Sequence, residues 1–345
     1  MFMKKVIDFF IPRLIAEAAK DNVDRFVVAG VISKDGGNKV LCLKRAGHDF
    51  MPGLYELPSG KVELKEDLVG ALIREVKEET NLKANNISDY ISYFDYYSQS
   101  KRLTRQINFV VQCESVSGIQ LSEKEHEGYT WVSANEINNY NISVETKNVI
   151  RAFFLRQSLS KSTSQQLVAG YESGVEQFVV GGVIGNKDKA LIMKRAADDF
   201  MGGIYELPSG KLEKGECVEM GLVREVLEET NLVVTHLGKS LSSFDYKSGS
   251  GKHTRQLNFD IFVQDPKQIK LSEEHEGFAW ISSAELANYL VSGEVKAIVF
   301  DYLTEKKPKL SLVAEQGLFS QKRERENDTL VDTSEMKKFN FTAGE

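Results

Sequence analysis

Glutamates at 75, 78 and 79, and again at 225, 228 and 229, are the residues best suited to do chemistry in this chain. In each triplet the spacing is i, i+3, i+4, which on a helix gathers three carboxylates on one face. Like charges held that close repel, and a solvated helix more often sets Lys or Arg between them. A hard divalent cation answers the repulsion, and oxygen ligands suit Mg²⁺, with Mn²⁺ as an alternative. Arg74 lies one turn before Glu78, where an ion pair can hold the carboxylate in position. The ordinary alternative is an amphipathic helix with an acidic outer face. Repetition weighs against it: GKVELKEDLVGALIREVKEETNL at 60–82 returns as GKLEKGECVEMGLVREVLEETNL at 210–232. Gly60, Glu66, Arg74, Glu75, Val76, Glu78, Glu79 and Leu82 recur, each displaced by 150 residues.

The elements that must hold these carboxylates are legible around them. Leu68, Leu72 and Val76 recur at i, i+4, i+8, as do Val218, Leu222 and Val226, so each helix carries an apolar stripe for a core to cover. Asn81 and Asn231 end the helices where a left-handed residue is wanted, and Asn is the best substitute for Gly there. Ahead of each helix, FVVAGVI (26–32) and KVLCLKR (39–45), repeated as FVVGGVI (178–184) and KALIMKR (189–195), read as short strands joined by turns. After it come a strand, a polar turn and a strand, then the acidic loops SEKEHEGYTWVS and SEEHEGFAWIS, then a closing helix. Strands alternating with two helices predict an α/β sandwich in each copy.

The pattern G-x5-E-x7-R-E-U-x-E-E-x-G-U, with U aliphatic, is the Nudix box. Both stretches match it, except that Asn81 and Asn231 replace its last Gly. The preceding KRAGHDFMPGLYELPSG and KRAADDFMGGIYELPSG resemble the MutT-type branch, which includes nucleoside triphosphate pyrophosphohydrolases. The resemblance covers roughly residues 24–155 and 176–305 and implies two tandem Nudix-fold α/β/α sandwich domains with mixed sheets. By motif position it makes Glu75, Glu78 and Glu79, and Glu225, Glu228 and Glu229, the metal and water-activating residues. Glu66 and Glu216 become less direct contributors.

The resemblance implies further residues. In MutT-type enzymes the residue before the box Gly offers a carbonyl to the metal. Here it is Ser59 or Ser209, where the family usually has Gly; a carbonyl survives that change, whereas a φ above zero would be strained. The family also takes a glutamate six residues before a later Trp, which gives Glu125 before Trp131 and Glu274 before Trp280, as metal ligand or general base. Glu127 and Glu276 stand close enough to compete, and an acidic surface loop is the plain alternative. Arg45 and Arg195 match a family arginine that contacts substrate phosphate, and Arg105 and Arg255 in the repeated TRQ are further candidates. A surface salt bridge is the ordinary reading of each. Tyr96 and Tyr246 are possible platforms for a base, although an aromatic in a strand is more often core. His126 and His275 are read as satisfied surface residues outside the site.

A chain of 345 residues favours two domains of ordinary size. The divisions expected are an amphipathic N-terminal segment (1–23), a first domain (24–155), a Ser- and Gln-rich linker (156–172), a second domain (173–305) and a polar, partly disordered tail (306–345). A net charge of −6 argues against broad binding to nucleic acid or an anionic membrane. Cys42, Cys113 and Cys217 share no metal-ligand spacing and fit a reducing cytoplasm. The expected substrate is a small nucleotide, in the first place a canonical or oxidised nucleoside triphosphate cleaved to monophosphate and pyrophosphate. ADP-ribose or dinucleoside polyphosphate hydrolysis is the alternative, and a nucleotide-sensing regulatory protein is an alternative of another class. The duplication also allows the two domains to pair within one chain as a pseudo-dimer.

Overall fold

The computed structural model describes residues 2–48, 51–122, 124–159, 162–198 and 201–305. The expected tail, 306–345, lies outside them. Helix α1 (Phe2–Lys20) precedes a first half made of strands β1 (Arg25–Lys34), β2 (Lys39–Arg45), β3 (Tyr55–Glu56), β4 (Ser59–Lys61), β5 (Ala84–Tyr97), β6 (Leu103–Cys113) and β7 (His126–Val132). Helix α2 (Leu68–Thr80) lies between β4 and β5, and α3 (Val144–Arg156) follows β7. After α4 (Thr163–Glu172), the second half repeats the plan with β8 (Gln177–Asn186), β9 (Lys189–Arg195), β10 (Tyr205–Glu206), β11 (Ser209–Lys211), β12 (Val234–Ser240), β13 (Phe244–Lys247), β14 (His253–Val263) and β15 (His275–Ile281). Its helices are α5 (Val218–Thr230) and α6 (Gly293–Thr304).

Each sheet is mixed. In the first, β3, β2, β1, β6 and β5 lie in that order, β4 pairs with β1, and β7 pairs with β2. The β1–β6 pairing is parallel and its neighbours are antiparallel. The second sheet follows the same order through β10, β9, β8, β14 and β12. Val27 to Ile32 are all buried, which is why β1 reads as an unbroken apolar run instead of an alternating one. Helix α2 covers this sheet with Leu68, Leu72 and Val76, each no more than 3% exposed.

The box helices end as the sequence predicts. Asn81 and Asn231 are left-handed, with φ of 58° and 59°. The N-termini differ: Asp67 accepts a hydrogen bond from the Gly70 amide, whereas Cys217 gives α5 no side-chain cap.

The stretch expected as a linker holds a helix. Ser162 caps α4 by accepting from the Gln165 amide, and Thr163, Ser164, Leu167, Val168 and Gly170 are buried. A sequence rich in Ser and Gln reads as solvated until one sees that Ser162 is a cap and that Leu167 and Val168 face a core. This helix packs on α1 and β5, and the two halves form one compact unit, Met1–Lys306. No helix among the described residues is long and apolar enough to cross a membrane.

Candidate active site

Strand β4 brings its backbone under helix α2. The Ser59 N–H donates to Glu79 Oε2 at 2.8 Å, and Ser209 makes the same bond to Glu229 at 2.8 Å. Neither serine has a positive φ, so serine is accommodated without strain. Gly60 makes the approach possible: a Cβ there would lie 1.9 Å from Glu75 Cδ, and one on Gly210 would lie 2.1 Å from Glu225 Cδ. Both box glycines therefore leave room for a carboxylate.

Arg74 is the hub of the outer carboxylates. It donates to Glu66 through Nε and Nη2 at 2.9 Å, to the Lys61 carbonyl at 2.9 Å and to Glu78 at 3.2 Å, and it lies 2.8 Å from Glu75. Arg224 repeats this with Glu216, Lys211, Glu225 and Glu228. Glu66 and Glu216 each accept two hydrogen bonds from their arginine. Glu78 keeps 58% of its side chain exposed while Glu79 is buried, so one helix turn offers a wet and a dry carboxylate.

The later loop meets α2 through sheet register. Strand β7 pairs with β2 so that His126 lies opposite Arg45, and the Ala46 amide donates to the Glu125 carbonyl. Side-chain ligand atoms of Glu79, Glu125 and His126 then fall within 4.8 Å of one another. Glu127 is instead drawn to Lys44 and Glu276 to Lys194, which leaves Glu125 as the loop acid beside Glu79 and Glu274 as the loop acid whose charge acts on Glu229.

The reading of His126 and His275 as surface residues is corrected. They are 3% and 5% exposed. His126 Nε2 lies 3.1 Å from Glu56 Oε1 and 3.9 Å from Glu79 Oε1, and His275 Nε2 lies 3.1 Å from Glu206 Oε1. Glu56 and Glu206 were also missed as site residues. The signal available was YELPSG, repeated without change at 55–60 and 205–210.

The arginines divide into two pairs. Arg45 binds both Glu56 oxygens, at 3.0 and 2.8 Å, and Arg195 binds Glu206 at 2.7 Å, so both stand at the edge of the carboxylate cluster. Arg105 and Arg255 do not join them. Arg105 is fully buried, bonded to Asp95 and Asp21, with its guanidinium 3.9 Å from the Tyr93 ring centroid. Arg255 is held by both oxygens of Asp245. The expectation that this pair contacts phosphate gives way to strand-pairing ion pairs, because Asp95 and Asp245 sit directly across the ladder from them. Tyr96, 37% exposed, feels the charges of Glu56 and Arg45, and Tyr246 those of Glu206 and Arg195. An open groove of about 520 Å³, lined by Ile119, Leu121, His126, Glu127, Gly128 and Tyr129, adjoins the first cluster.

Burial pushes the Glu79 carboxyl well above its ordinary range. Glu56, Glu75 and Glu125 raise it further, and the Ser59 amide opposes them. Glu229 is pushed up to about 9 by the same causes, burial first. Glu75 and Glu225 are raised by burial, with Arg74 and Arg224 opposing. Hard oxygen donors crowded and desolvated in this way fit a divalent cation, whose charge reverses every one of these shifts.

A pH dependence follows. The folded-state pKa of Glu229 lies above its ordinary 4.5, so the metal-free fold holds an extra proton. Its contribution to stability is full below pH 4.5 and is lost as pH rises through about 9. Glu229→Gln is therefore expected to melt higher than the parent without metal, by a margin that widens from about pH 5 to about pH 9. Thermal melts in chelator measure this, and parallel curves for variant and parent would contradict it.

The family model described as NUDIX domain matches residues 24–153 and 176–300. A curated Escherichia coli protein named nucleoside triphosphatase NudI is 28% identical over 134 residues, which cover 37% of this chain and 94% of that protein. The solution structure of the Escherichia coli ORF135 protein aligns with 39% of this chain and 91% of its own, at 27% identity and a TM-score of 0.33. A crystal structure of a MutT protein from Methanosarcina mazei covers 38% of this chain and 92% of its own, at 26% identity and a TM-score of 0.32.

Proposed function

The chain belongs to the NUDIX family through both of its halves, and from that premise we propose that it is a divalent-cation-dependent hydrolase of nucleoside triphosphates. The reaction would cleave a canonical or oxidised triphosphate to the monophosphate and pyrophosphate. The observation that carries the reading is the box helix, present twice with a buried glutamate and an arginine-held exposed one, and in the first half the approach of a loop glutamate to within 4.8 Å of the buried one. The similarity to a protein named nucleoside triphosphatase supports the choice of substrate class.

Glu75, Glu78, Glu79 and Glu125 would hold Mg²⁺ or Mn²⁺ in the first half, with the Ser59 carbonyl as a further ligand. Glu225, Glu228, Glu229, Glu274 and the Ser209 carbonyl would do so in the second. The bound cation would stabilise charge on the phosphate oxygens and acidify the attacking water. Glu125 or Glu274, exposed on its loop, can accept the proton of that water and return it to solvent. Arg74 and Arg224 keep the outer carboxylates oriented. Glu56 and Glu206 hold Arg45 and Arg195 at the edge of the carboxylate cluster, where a guanidinium suits phosphate oxygens. Tyr96 and Tyr246 offer half-exposed rings beside those arginines on which a base can stack. The tandem halves would serve as an intramolecular pair, and three free cysteines, two of them buried, suit a reducing cytoplasm.

The test is a panel of nucleotides with Mg²⁺ or Mn²⁺, with products separated by chromatography. Triphosphates are expected to yield monophosphate and pyrophosphate, and chelator to stop the reaction. Cleavage of ADP-ribose or dinucleoside polyphosphates with triphosphates left intact would overturn the substrate class but not the hydrolase. Binding of nucleotides with no turnover of any would favour a sensor instead.

A further inference from the structure

The two halves share one box but not one set of supports. Helix α5 carries Glu219 in its first turn, completely buried, where the first copy has Val69. Arg156, the last residue of α3, grips that carboxylate with a fork: Nε to Oε1 at 3.1 Å and Nη2 to Oε2 at 2.9 Å. Its Nη1 reaches Asp89 at 3.0 Å and the Tyr90 carbonyl at 3.0 Å, and Thr163 donates to Glu219 Oε1 at 2.6 Å. One buried network thus joins α3, β5 and α4 to the box helix of the second half. A second attachment lies at the loop before α5. The Tyr93 amide donates to the Gly215 carbonyl at 3.1 Å, Gly215 has φ of 79°, and Lys214 pairs with Asp21.

Among the described residues the first box has no counterpart of either attachment. Aligned on the capping serines Ser143 and Ser292, Arg156 falls opposite Glu305, a reversal of charge. Lys214 falls opposite Leu64, which is 98% exposed. Exchanging a buried ion pair for apolar residues often leaves stability unchanged, so the pair need not be there for stability. A bidentate fork does fix the position and rotation of what it holds, and α5 carries Glu225, Glu228 and Glu229.

We propose that Arg156 is a positioning residue for the second metal site: through Glu219 the first half sets the placement of helix α5, whereas the first site is self-contained. The proposal rests on the reading that the box carboxylates hold a divalent cation. The network touches no box carboxylate directly and acts only through the placement of α5, so the expected loss of metal affinity is about tenfold, the low end of what partners bonded to the ligands themselves are worth.

The experiment uses the full chain and direct Mn²⁺ titration followed by electron paramagnetic resonance, which needs no turnover. In a background with Glu75→Gln and Glu79→Gln, only the second site remains. There Arg156→Met/Glu219→Met, which removes both charges and keeps the volume, is expected to weaken Mn²⁺ binding about tenfold. Arg156→Lys, which keeps the charge and loses the fork, is expected to fall between it and the parent. In the mirror background, Glu225→Gln with Glu229→Gln, the same paired substitution is expected to leave affinity unchanged. Amide exchange should quicken in α5 and not in α2.

Unchanged affinity at the second site of the folded double variant would overturn the proposal. So would equal weakening at both sites, which is what general loosening of the fold produces. If Arg156→Met alone fails to fold, the paired substitution still decides. Mn²⁺ bound by a chain that hydrolyses no nucleotide would sink the proposed function and leave the positioning role standing. A parent chain that binds no Mn²⁺ would overturn both.

Discussion

Glu79→Gln together with Glu229→Gln is expected to lower turnover by about a thousandfold or more, with the fold retained. Each of these glutamates is buried against a box-loop amide at 2.8 Å and is surrounded by other carboxylates. Glutamine keeps the shape and an oxygen for the serine N–H, but it removes the negative charge that a cation needs. Because the amide cannot ionise, the metal-free double variant should also melt above the parent at alkaline pH. Loss of activity with a gain in stability separates removal of a functional charge from simple unfolding. Each single variant should retain the turnover of the other site. If Glu79→Gln alone abolished all activity while Glu229→Gln did nothing, the second half would be structural. Steady-state rates with triphosphate and Mg²⁺ decide between these outcomes.

Gly60→Ala, and independently Gly210→Ala, should damage one site each while leaving the fold almost untouched. The added Cβ would meet the Glu75 carboxylate with Cδ at 1.9 Å and the two oxygens at 2.0 and 2.4 Å. What it meets is the end of a flexible side chain, so Glu75 can swing away at small cost. Gly60 has no positive φ, and the backbone accepts alanine. The swung carboxylate leaves Arg74 and the site, and a displacement of about 1 Å or more costs on the order of a hundredfold in rate at that site. The measurement pairs kcat, in a chain whose other site carries the glutamine substitution, with a melting curve. Full activity in Gly60→Ala would show that Glu75 does not need its present position. A large fall in melting temperature would show that the glycine serves packing.

Features that depend on near neighbours along the chain were legible from the residues alone. Three carboxylates on one face of α2, the apolar stripe opposite, the left-handed Asn81 and the Arg74–Glu78 pair all follow from helical periodicity within about two dozen residues. Duplication raised each from a pattern to an expectation, and the α/β class followed from the order of strands and helices.

Tertiary structure alone decided the rest, because those contacts are made by residues distant in sequence whose meeting depends on sheet register. Glu56 and His126 are 70 residues apart and touch because β2 pairs with both β3 and β7. Arg105, in a TRQ that suggested phosphate, turned out to face Asp95 across one ladder and Asp21 beyond α1, inside the protein. The α4 helix looked like a linker because its polar residues are caps and bonds to carbonyls that only folding brings near. Arg156 and Glu219, 63 residues apart, look like ordinary surface charges until α3 and α5 are packed. A buried charge is legible only with its partner, and the chain path between partners is the one thing a linear pattern does not contain.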